Sequence, residues 1–271
     1  MASYESNGIP PKITLYTNHL CPYAQRAHIA LKELDLPYEE VIIDLDRPRE
    51  QWYLDLNPVP LGKSRGPKAR DRWSANACAE PPPQRGLVPT IKYSNGILEN
   101  EIVAESAIVA HFLADARPSH LLPASGASPT SALFRARVNF FLDTWTAKVA
   151  PFMWRAFQAQ GAEQEAVCQD WLAALAAEIE PLLAGADPFF GGRDRLTLVE
   201  VNAAPFLLRM YALSEAGIVP RSFKDGLQRL PRFSRWAERT MAESSVTQVW
   251  DEKDVVDRTR ARIEKMRQAA N

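Results

Sequence analysis

Residues 12–34 read KITLYTNHLCPYAQRAHIALKEL, and this stretch predicts a short strand that runs into a helix. Ile13 and Leu15 alternate with residues that carry a hydroxyl, which is the period of a strand. Pro22 suits the first turn of a helix, because the N–H that it lacks is one that a helix leaves unpaired. Alanine and leucine then recur at helical spacing through the rest of the stretch. Cys21 is therefore predicted to lie at the N-cap of the helix.

The position of Cys21 favours a reactive thiol. Free backbone N–H groups and the helix dipole favour an anion at a helix N-terminus, so we expect this thiol to ionise more easily than a free one. The alternative is a small buried apolar residue, which is the more common state of a lone cysteine. Ala24 stands where a dithiol motif has its second cysteine, so an external thiol must resolve any disulfide that Cys21 forms.

Composition narrows the class of protein. The chain has 271 residues, enough for two modest domains, and its formal net charge of −1 gives no sign of a nucleic-acid or membrane partner. Cys21, Cys78 and Cys168 are odd in number and far apart, which argues against a disulfide framework and for a reducing compartment. No signal peptide and no apolar run of ~20 residues occurs, so a cytoplasmic location is expected.

The rest of the N-terminal half continues the alternation of strand and helix patterns. Residues 38–45 predict a strand parallel to the first, and the apolar run 41–43 predicts that it is covered on both faces. The chain then predicts two strands joined by a tight turn and a further helix, over residues 87–93, 97–103 and 107–114. Ser106 is predicted to be the N-cap of that helix.

Two segments predict no regular structure. Residues 1–11 are polar, and residues 59–84 are rich in Pro, Arg, Gly and Ala without any period, so we expect a disordered N-terminus and an irregular insertion. The insertion interrupts an otherwise regular pattern cleanly, which also suggests a translated intron in the gene model. The intact mass of the native protein, or a transcript that lacks the segment, would distinguish the two interpretations.

The C-terminal half predicts helices throughout. Three prolines and a glycine in residues 118–130 indicate a linker, and residues 131–271 carry helical patterns. A capping box, TLVE at 197–200, opens the most apolar helix, which we expect at the buried centre. The charged helix predicted over residues 251–271 is expected to present a solvated face. The fold class is therefore α/β followed by all-α.

This order of elements resembles the cytosolic glutathione transferases, and the omega class with its fungal omega-like relatives most of all. The motifs that carry the resemblance are CPYAQR at 21–26, LVPT at 87–90, the pair Glu105-Ser106 at a helix start and the box at 197–200. The resemblance implies a thioredoxin-like, glutathione-binding domain over residues 12–117 and an all-helical domain over 131–271.

Glutathione is the co-substrate that the resemblance implies, with no metal. It implies that Cys21 is the catalytic cysteine and that Val88-Pro89 is a cis-proline turn whose backbone pairs with the cysteinyl part of glutathione. Glu105 and Ser106 match the pair that holds the γ-glutamyl end, and a serine hydroxyl at a helix start suits a carboxylate.

The resemblance also implies residues for the rest of the site. Arg49 falls where omega-like members have a cation near the glycyl carboxylate, with Arg47 as the alternative, and Tyr23 belongs to the cysteine motif. The acceptor pocket is expected against the helical half, where the candidates are Phe152, Trp154, Phe206, Arg209 and Trp250. Each of these five residues can equally belong to the hydrophobic core.

The implied activity is thiol transfer or reduction, as expected for detoxification enzymes of this type. A cysteine forms a mixed disulfide with glutathione, which favours the reduction of glutathionylated or otherwise oxidised acceptors over conjugation. Two alternatives remain open at this point. One is a transferase that conjugates glutathione to an electrophilic metabolite or xenobiotic, and the other is a non-catalytic ligand-binding relative. By analogy with the family, a homodimer is expected.

Overall fold

A computed structural model describes residues 10–56 and 86–270 of the chain. The insertion predicted at 59–84, with Cys78, lies outside the described residues, and so does most of the predicted N-terminal tail. The described N-terminal elements are β1 (Lys12–Thr17), α1 (Pro22–Glu33), β2 (Glu39–Ile42), α2 (Gln51–Leu56), β3 (Thr90–Ser94), β4 (Glu101–Ala104) and α3 (Ser106–Asp115). The strand order is β2-β1-β3-β4, with β1 and β2 parallel and the other pairs antiparallel.

The prediction that β2 is covered on both faces is wrong. Glu39 and Glu40 are exposed, Val41 is half-buried, and Ile42 is 57% exposed. The reason is the sheet order, which places β2 at an edge with β1 as its only neighbouring strand. Of the apolar run, only Ile43 is buried, and it lies just beyond the end of the strand.

The C-terminal half is helical, as predicted. Its helices are α4 (Ser131–Thr144), α5 (Pro151–Gln158), α6 (Gly161–Ala174), α7 (Leu198–Glu215), α8 (Arg221–Gln228), α9 (Pro231–Ala242), α10 (Ser244–Thr247) and α11 (Glu252–Ala270). A π-helical turn at Trp145–Val149 joins α4 to α5, where Pro151 begins the new helix. Residues 116–130 contain neither helix nor strand. Among the helices described, none has both the length and the apolarity needed to cross a membrane.

Helix α7 forms the centre of the helical half, which confirms the prediction from its apolar sequence. Sixteen of its eighteen residues are buried. The capping box is present: Thr197 Oγ1 accepts the N–H of Val199, and the carboxylate of Glu200 accepts the N–H of Thr197. Because α7 packs directly on α1, it fixes the position of the helix that begins at Cys21.

Candidate active site

A cavity of about 990 Å³ lies between the thioredoxin-like half and the helical half. Loops next to β1, β3 and α3 form one side, and α5, α7 and α11 form the other. All seven residues predicted for glutathione line this cavity: Cys21, Tyr23, Arg49, Val88, Pro89, Glu105 and Ser106. Two of the five candidates for the acceptor pocket, Trp154 and Arg209, line it as well.

Cys21 is the N-cap of α1, as predicted, with an extended backbone. Its Sγ lies 3.9 Å from the carbonyl oxygen of Val88, on the turn before β3. The Val88–Pro89 peptide bond is cis, as the resemblance implied. The buried hydroxyl of Tyr53 donates to the Leu87 carbonyl at 2.7 Å, so α2 holds this turn opposite the thiol.

The expectation that Cys21 ionises more easily than a free thiol is wrong for this structure. Burial raises the pKa of the Cys21 thiol above its ordinary value, because a thiolate loses hydration inside the cavity. The backbone N–H groups of Ala24 and Tyr23, at the start of α1, lower the pKa as predicted, and so do Arg209 and Arg26. These contributions do not outweigh the loss of hydration.

Two buried arginines face the thiol. Arg26 and Arg209 are 5% and 4% exposed, and burial lowers the pKa of each guanidinium to about 10. In the described part of the chain, neither forms an ion pair with a carboxylate; both donate to neutral acceptors, among them Ser106 Oγ at 3.0 Å and the Leu20 carbonyl at 3.0 Å. A buried cation without a counterion is costly, so this end of the cavity favours an anion such as a thiolate or carboxylate.

The sequence prediction did not include Arg26. The signal was available, because Arg26 belongs to the CPYAQR motif and follows Gln25 in the first half of the helix, between the apolar residues Ala24 and Ala27. Only the packing of α1 on α7 shows why this cation is tolerated. The Nε of Arg26 donates to the carbonyl of Asn202 at 3.0 Å, and its guanidinium lies over the ring of Phe206 at 5.0 Å, both residues of α7.

The start of α3 differs by one residue from the prediction. Glu105 is the N-cap and Ser106 is the first helical residue, because the Ser106 hydroxyl accepts from Arg26 instead of capping the helix. Glu105 has φ 72°, a left-handed conformation that costs a residue with a side chain about 1–3 kcal/mol. Such strain is typical of functional sites, and here it sets both residues on the cavity wall.

Arg49 lines the cavity and Arg47 does not. Arg49 donates to the carbonyl of Gly86 at 3.1 Å and to the carbonyls of Asp44 and Arg47 at 2.6 Å each, so it also holds its own loop. The side chain of Arg47 is 83% exposed and pairs with Asp44. Gly86 must be glycine, because a Cβ there would lie 2.6 Å from Arg49 Cγ and its φ is +79°.

Three of the candidates for the acceptor wall do not line the cavity. Phe206 is 3% exposed and packs edge-on against Tyr23, with ring centroids 5.4 Å apart. Phe152 stacks on Trp171 inside the helical half. Trp250 lies under the guanidinium of Arg209 at 5.0 Å. Phe206 belongs to the buried core, and Phe152 and Trp250 are partly buried against it, which favours the alternative that these three residues serve packing.

Helix α11 supplies wall residues that the sequence prediction missed. Val255 and Ile263 are buried and seat the helix on α5 and α7. The adjoining face, with Arg258, Arg262 and Met266, lines the cavity. Arg258 and Arg262 on this face are exposed, so the expectation of a solvated face holds, and what the prediction missed is the packing of α11 on the helical half. The signal for that packing was the pair of apolar residues eight positions apart, Val255 and Ile263, in an otherwise charged sequence.

One group among the described residues can hold a metal ion. His19, His28 and Glu40 place their ligand atoms within 4.8 Å of one another. Those atoms already have partners: His19 pairs with Glu40 at 2.5 Å, and His28 Nε2 makes a hydrogen bond of 2.8 Å with the Thr17 hydroxyl. The group lies outside the cavity lining, so no role in the cavity's chemistry is assigned to it.

The rate of alkylation of Cys21 is expected to keep rising with pH above neutrality. The raised pKa leaves a small thiolate fraction at neutral pH, and this fraction grows about tenfold per pH unit until the pKa is passed. Replacing Arg209 by Gln removes a cation and is expected to move the profile further towards alkaline pH. The measurement is the iodoacetamide rate against pH, with labelling located by peptide mapping. A plateau already reached at neutral pH would contradict the prediction.

Comparisons with known proteins agree with this geometry. The family "Glutathione S-transferase, N-terminal domain" matches residues 20–116. The chain is 24% identical to glutathione S-transferase omega-1 of Mus musculus over 227 residues, 83% of this chain and 75% of that protein. The crystal structure of glutathione transferase Omega 2C from Trametes versicolor is 26% identical with a TM-score of 0.68, covering 94% of this chain and all of that one. Rice GST1, solved in complex with glutathione, shares the fold at 23% identity and a TM-score of 0.71, over 95% and 99% of the chains.

Proposed function

This chain is an omega-like member of the cytosolic glutathione transferase superfamily, and we propose that it is a glutathione-dependent thiol transferase with Cys21 as the nucleophile. The observation that carries the proposal is the thiol of Cys21, the one cysteine among the described residues that lines the cavity, at a helix N-terminus and opposite the cis Val88–Pro89 turn. Ala24 stands where a dithiol site has its second sulfur, so glutathione itself completes the cycle.

The cycle has two exchanges. In the first, the Cys21 thiolate attacks the glutathionyl sulfur of a mixed disulfide, the disulfide bond of the acceptor breaks, and the acceptor leaves as a thiolate that takes a proton from water. Cys21 is then bonded to glutathione. In the second exchange, the thiolate of another glutathione attacks this sulfur, glutathione disulfide leaves, and the Cys21 thiolate is regenerated. Overall, the glutathionylated acceptor and one glutathione become the acceptor thiol and glutathione disulfide, so one disulfide bond is broken, one is formed, and no further oxidant or reductant is needed.

Glutathione is proposed to lie along the thioredoxin-like side of the cavity. The backbone at Val88 pairs with its cysteinyl part, so that its sulfur meets Cys21. Its γ-glutamyl carboxylate accepts hydrogen bonds from the Ser106 hydroxyl and from the backbone N–H groups at the start of α3, and the positive charge of Arg26, which donates to Ser106, attracts it further. Glu105 binds its ammonium group. Arg49 is the cation on the cavity for the glycyl carboxylate, and the exposed position of Arg47 argues against Arg47.

Conjugation is the second candidate, and one observation favours it. Burial raises the pKa of Cys21, so a glutathione thiolate stabilised by the buried arginines can compete with Cys21 as the nucleophile. Such an enzyme would join glutathione to an electrophilic metabolite or xenobiotic. A protein that binds glutathione without either activity would be the third case.

A trapping experiment tests the proposal directly. After incubation with glutathione disulfide, we expect one glutathione bound per chain, released by dithiothreitol and located by peptide mapping on Cys21. Cys168 is the internal control, because it is fully buried and burial raises its pKa to about 11. Turnover of a small glutathionyl disulfide should accompany the adduct. Conjugation of a chromogenic electrophile without an adduct would select the second candidate, and binding without turnover the third.

A homodimer is proposed from exposed apolar residues on α3 and α4. Ile108, Leu133 and Phe140 are 57%, 53% and 61% exposed, and the last two share a helical face. The ion pair of Arg135 with Asp115 joins α4 to the C-terminal end of α3. Isolated apolar residues are common on surfaces, but a group on adjoining helices suits an interface.

Replacing Phe140 by Lys is therefore expected to shift the protein from dimer to monomer in light-scattering chromatography. A lysine in a closed apolar interface leaves a buried charge without a partner. Ile42→Lys is the matched control, because Ile42 is 57% exposed, close to the 61% of Phe140, but lies on β2 and not on α3 or α4. Strand β2 is at the edge of the sheet away from β4, the strand that leads into α3. A monomeric wild-type protein, or a dimer unaffected by Phe140→Lys, would contradict the proposal.

A further inference from the structure

The cavity carries a net positive charge although the protein does not. Among the described residues, its lining contains five cations, Arg49, Arg209, Arg258, Arg262 and Lys265, and two carboxylates, Asp46 and Glu105. The lining is therefore positive by three charges, whereas the whole chain has a formal charge of −1. Glutathione carries two carboxylates and one ammonium, so its single net negative charge leaves most of this excess uncompensated.

Three of the five cations belong to α11, at the end of the cavity that this helix lines. Arg258, Arg262 and Lys265 follow one another at four and three positions, so they share one face of the helix. Arg258 is already paired with Asp46 of the loop after β2 at 2.9 Å, a contact that joins α11 to the thioredoxin-like half. Among the described residues, no carboxylate pairs with Arg262 or Lys265.

The same end of the cavity is otherwise apolar. Met153, Trp154 and Phe157 of α5 face Ile263 and Met266 of α11 across it. Trp154 is 37% exposed and packs edge-on against Phe157, with ring centroids 5.6 Å apart.

The guanidinium of Arg262 lies 4.7 Å from the centroid of the Trp154 ring. A planar cation over an indole is placed to contact an aromatic ligand and its acidic group together, because guanidinium both stacks on rings and binds carboxylates with two parallel hydrogen bonds. This contact therefore brings an apolar residue of the wall, Trp154, and one of the cavity's cations, Arg262, next to each other.

We infer that the acceptor is a small aromatic molecule with a carboxylate or similar anionic group, held with its ring on Trp154 and its anionic group on Arg262 and Lys265. This inference rests on the proposed function only in treating the ligand of this subsite as the acceptor of the reaction. A protein acceptor does not suit it, because Asp46 and Arg258 bridge the two sides of the cavity next to the subsite.

The test compares two probes of the same shape, naphthoate and its uncharged counterpart naphthamide, by titration calorimetry with glutathione at saturation. Wild type is expected to bind the carboxylate about threefold more tightly than the amide, because Arg262 and Lys265 are exposed and water partly screens their attraction for a carboxylate. Arg262→Gln is expected to remove most of this preference by weakening the carboxylate alone. Trp154→Ala is expected to weaken both probes alike, because it removes the ring contact and no charge.

Arg267→Gln is the matched control: it removes the same charge from the same helix at an exposed position outside the cavity, so the preference should stay. Equal affinity for the two probes, a preference that survives in Arg262→Gln, or no binding of either probe would overturn the inference. Because binding is measured without turnover, the result separates from the proposed function. A preference without disulfide reduction rejects only the thiol transfer, and reduction without a preference rejects only this acceptor class.

Discussion

Replacing Cys21 by Ser is expected to lower glutathione-dependent disulfide reduction by at least about a thousandfold, down to the uncatalysed background. A serine hydroxyl cannot form a disulfide with glutathione, so the first exchange of the cycle is lost and not merely slowed. The substitution changes one atom at the N-cap of α1, where serine is itself a favoured residue, so the fold should be retained. The measurement is the steady-state reduction of a small glutathionyl disulfide coupled to glutathione reductase.

Conjugation by the same variant distinguishes the rival activities. Under the thiol-transfer proposal conjugation starts low, whereas a conjugating enzyme should keep or raise its rate in Cys21→Ser. Cys168→Ala is the matched control, because Cys168 is buried in α6 and lies outside the cavity lining. Its reduction rate should equal that of wild type. A Cys21→Ser enzyme that retains a tenth of the wild-type reduction rate would show that another group is the nucleophile.

Glu200→Ala is expected to lower the free energy of unfolding by about 3–5 kcal/mol and the melting temperature by about 10 °C. The carboxylate is fully buried and accepts four hydrogen bonds: Oε1 from the Phe190 N–H at 2.8 Å and from Trp236 Nε1 at 2.6 Å, and Oε2 from the Thr197 N–H at 2.8 Å and its hydroxyl at 2.6 Å. Alanine leaves these buried donors without an acceptor and opens the capping box of α7.

Denaturant unfolding at fixed protein concentration measures this loss. Glu180→Ala is the comparison, because Glu180 also accepts two backbone N–H groups at a helix start, those of Arg232 and Phe233, but is only half-buried. Water can replace its bonds, so we expect a loss of about 1 kcal/mol. Equal losses in the two variants would mean that burial of the Glu200 network contributes nothing to stability.

Features that depend on neighbouring residues were predictable from the sequence. The strand before Cys21, the helix after Pro22 and the box at 197–200 follow from periodicity, a missing N–H and a side chain that reaches one turn along the helix. The order of these elements, read together, indicated the family and with it the cis bond before Pro89. The first three inferences use contacts within about one element, whereas the cis bond came from the family resemblance and not from a local contact.

The environment of the thiol could not be predicted in this way. The helix N-terminus was correctly located, but the sign of the pKa shift of Cys21 depends on how much water the two halves of the molecule exclude. Similarly, the edge position of β2 depends on where β3 and β4 pair, and its run of apolar residues does not reveal this. Hydropathy reports what a segment can bury and not what covers it.

The sequence by itself determined the strand-to-helix joint, the cysteine at its cap, the buried central helix and the kind of fold, because these depend on local hydrogen bonding and periodicity. Only the tertiary structure decided the chemistry of the cavity. Arg209 reaches the Leu20 carbonyl across 189 positions, and Arg258 reaches Asp46 across 212. The positive charge of the cavity as a whole arises because folding brings Arg49 and Arg209, from distant segments, next to the cations of α11.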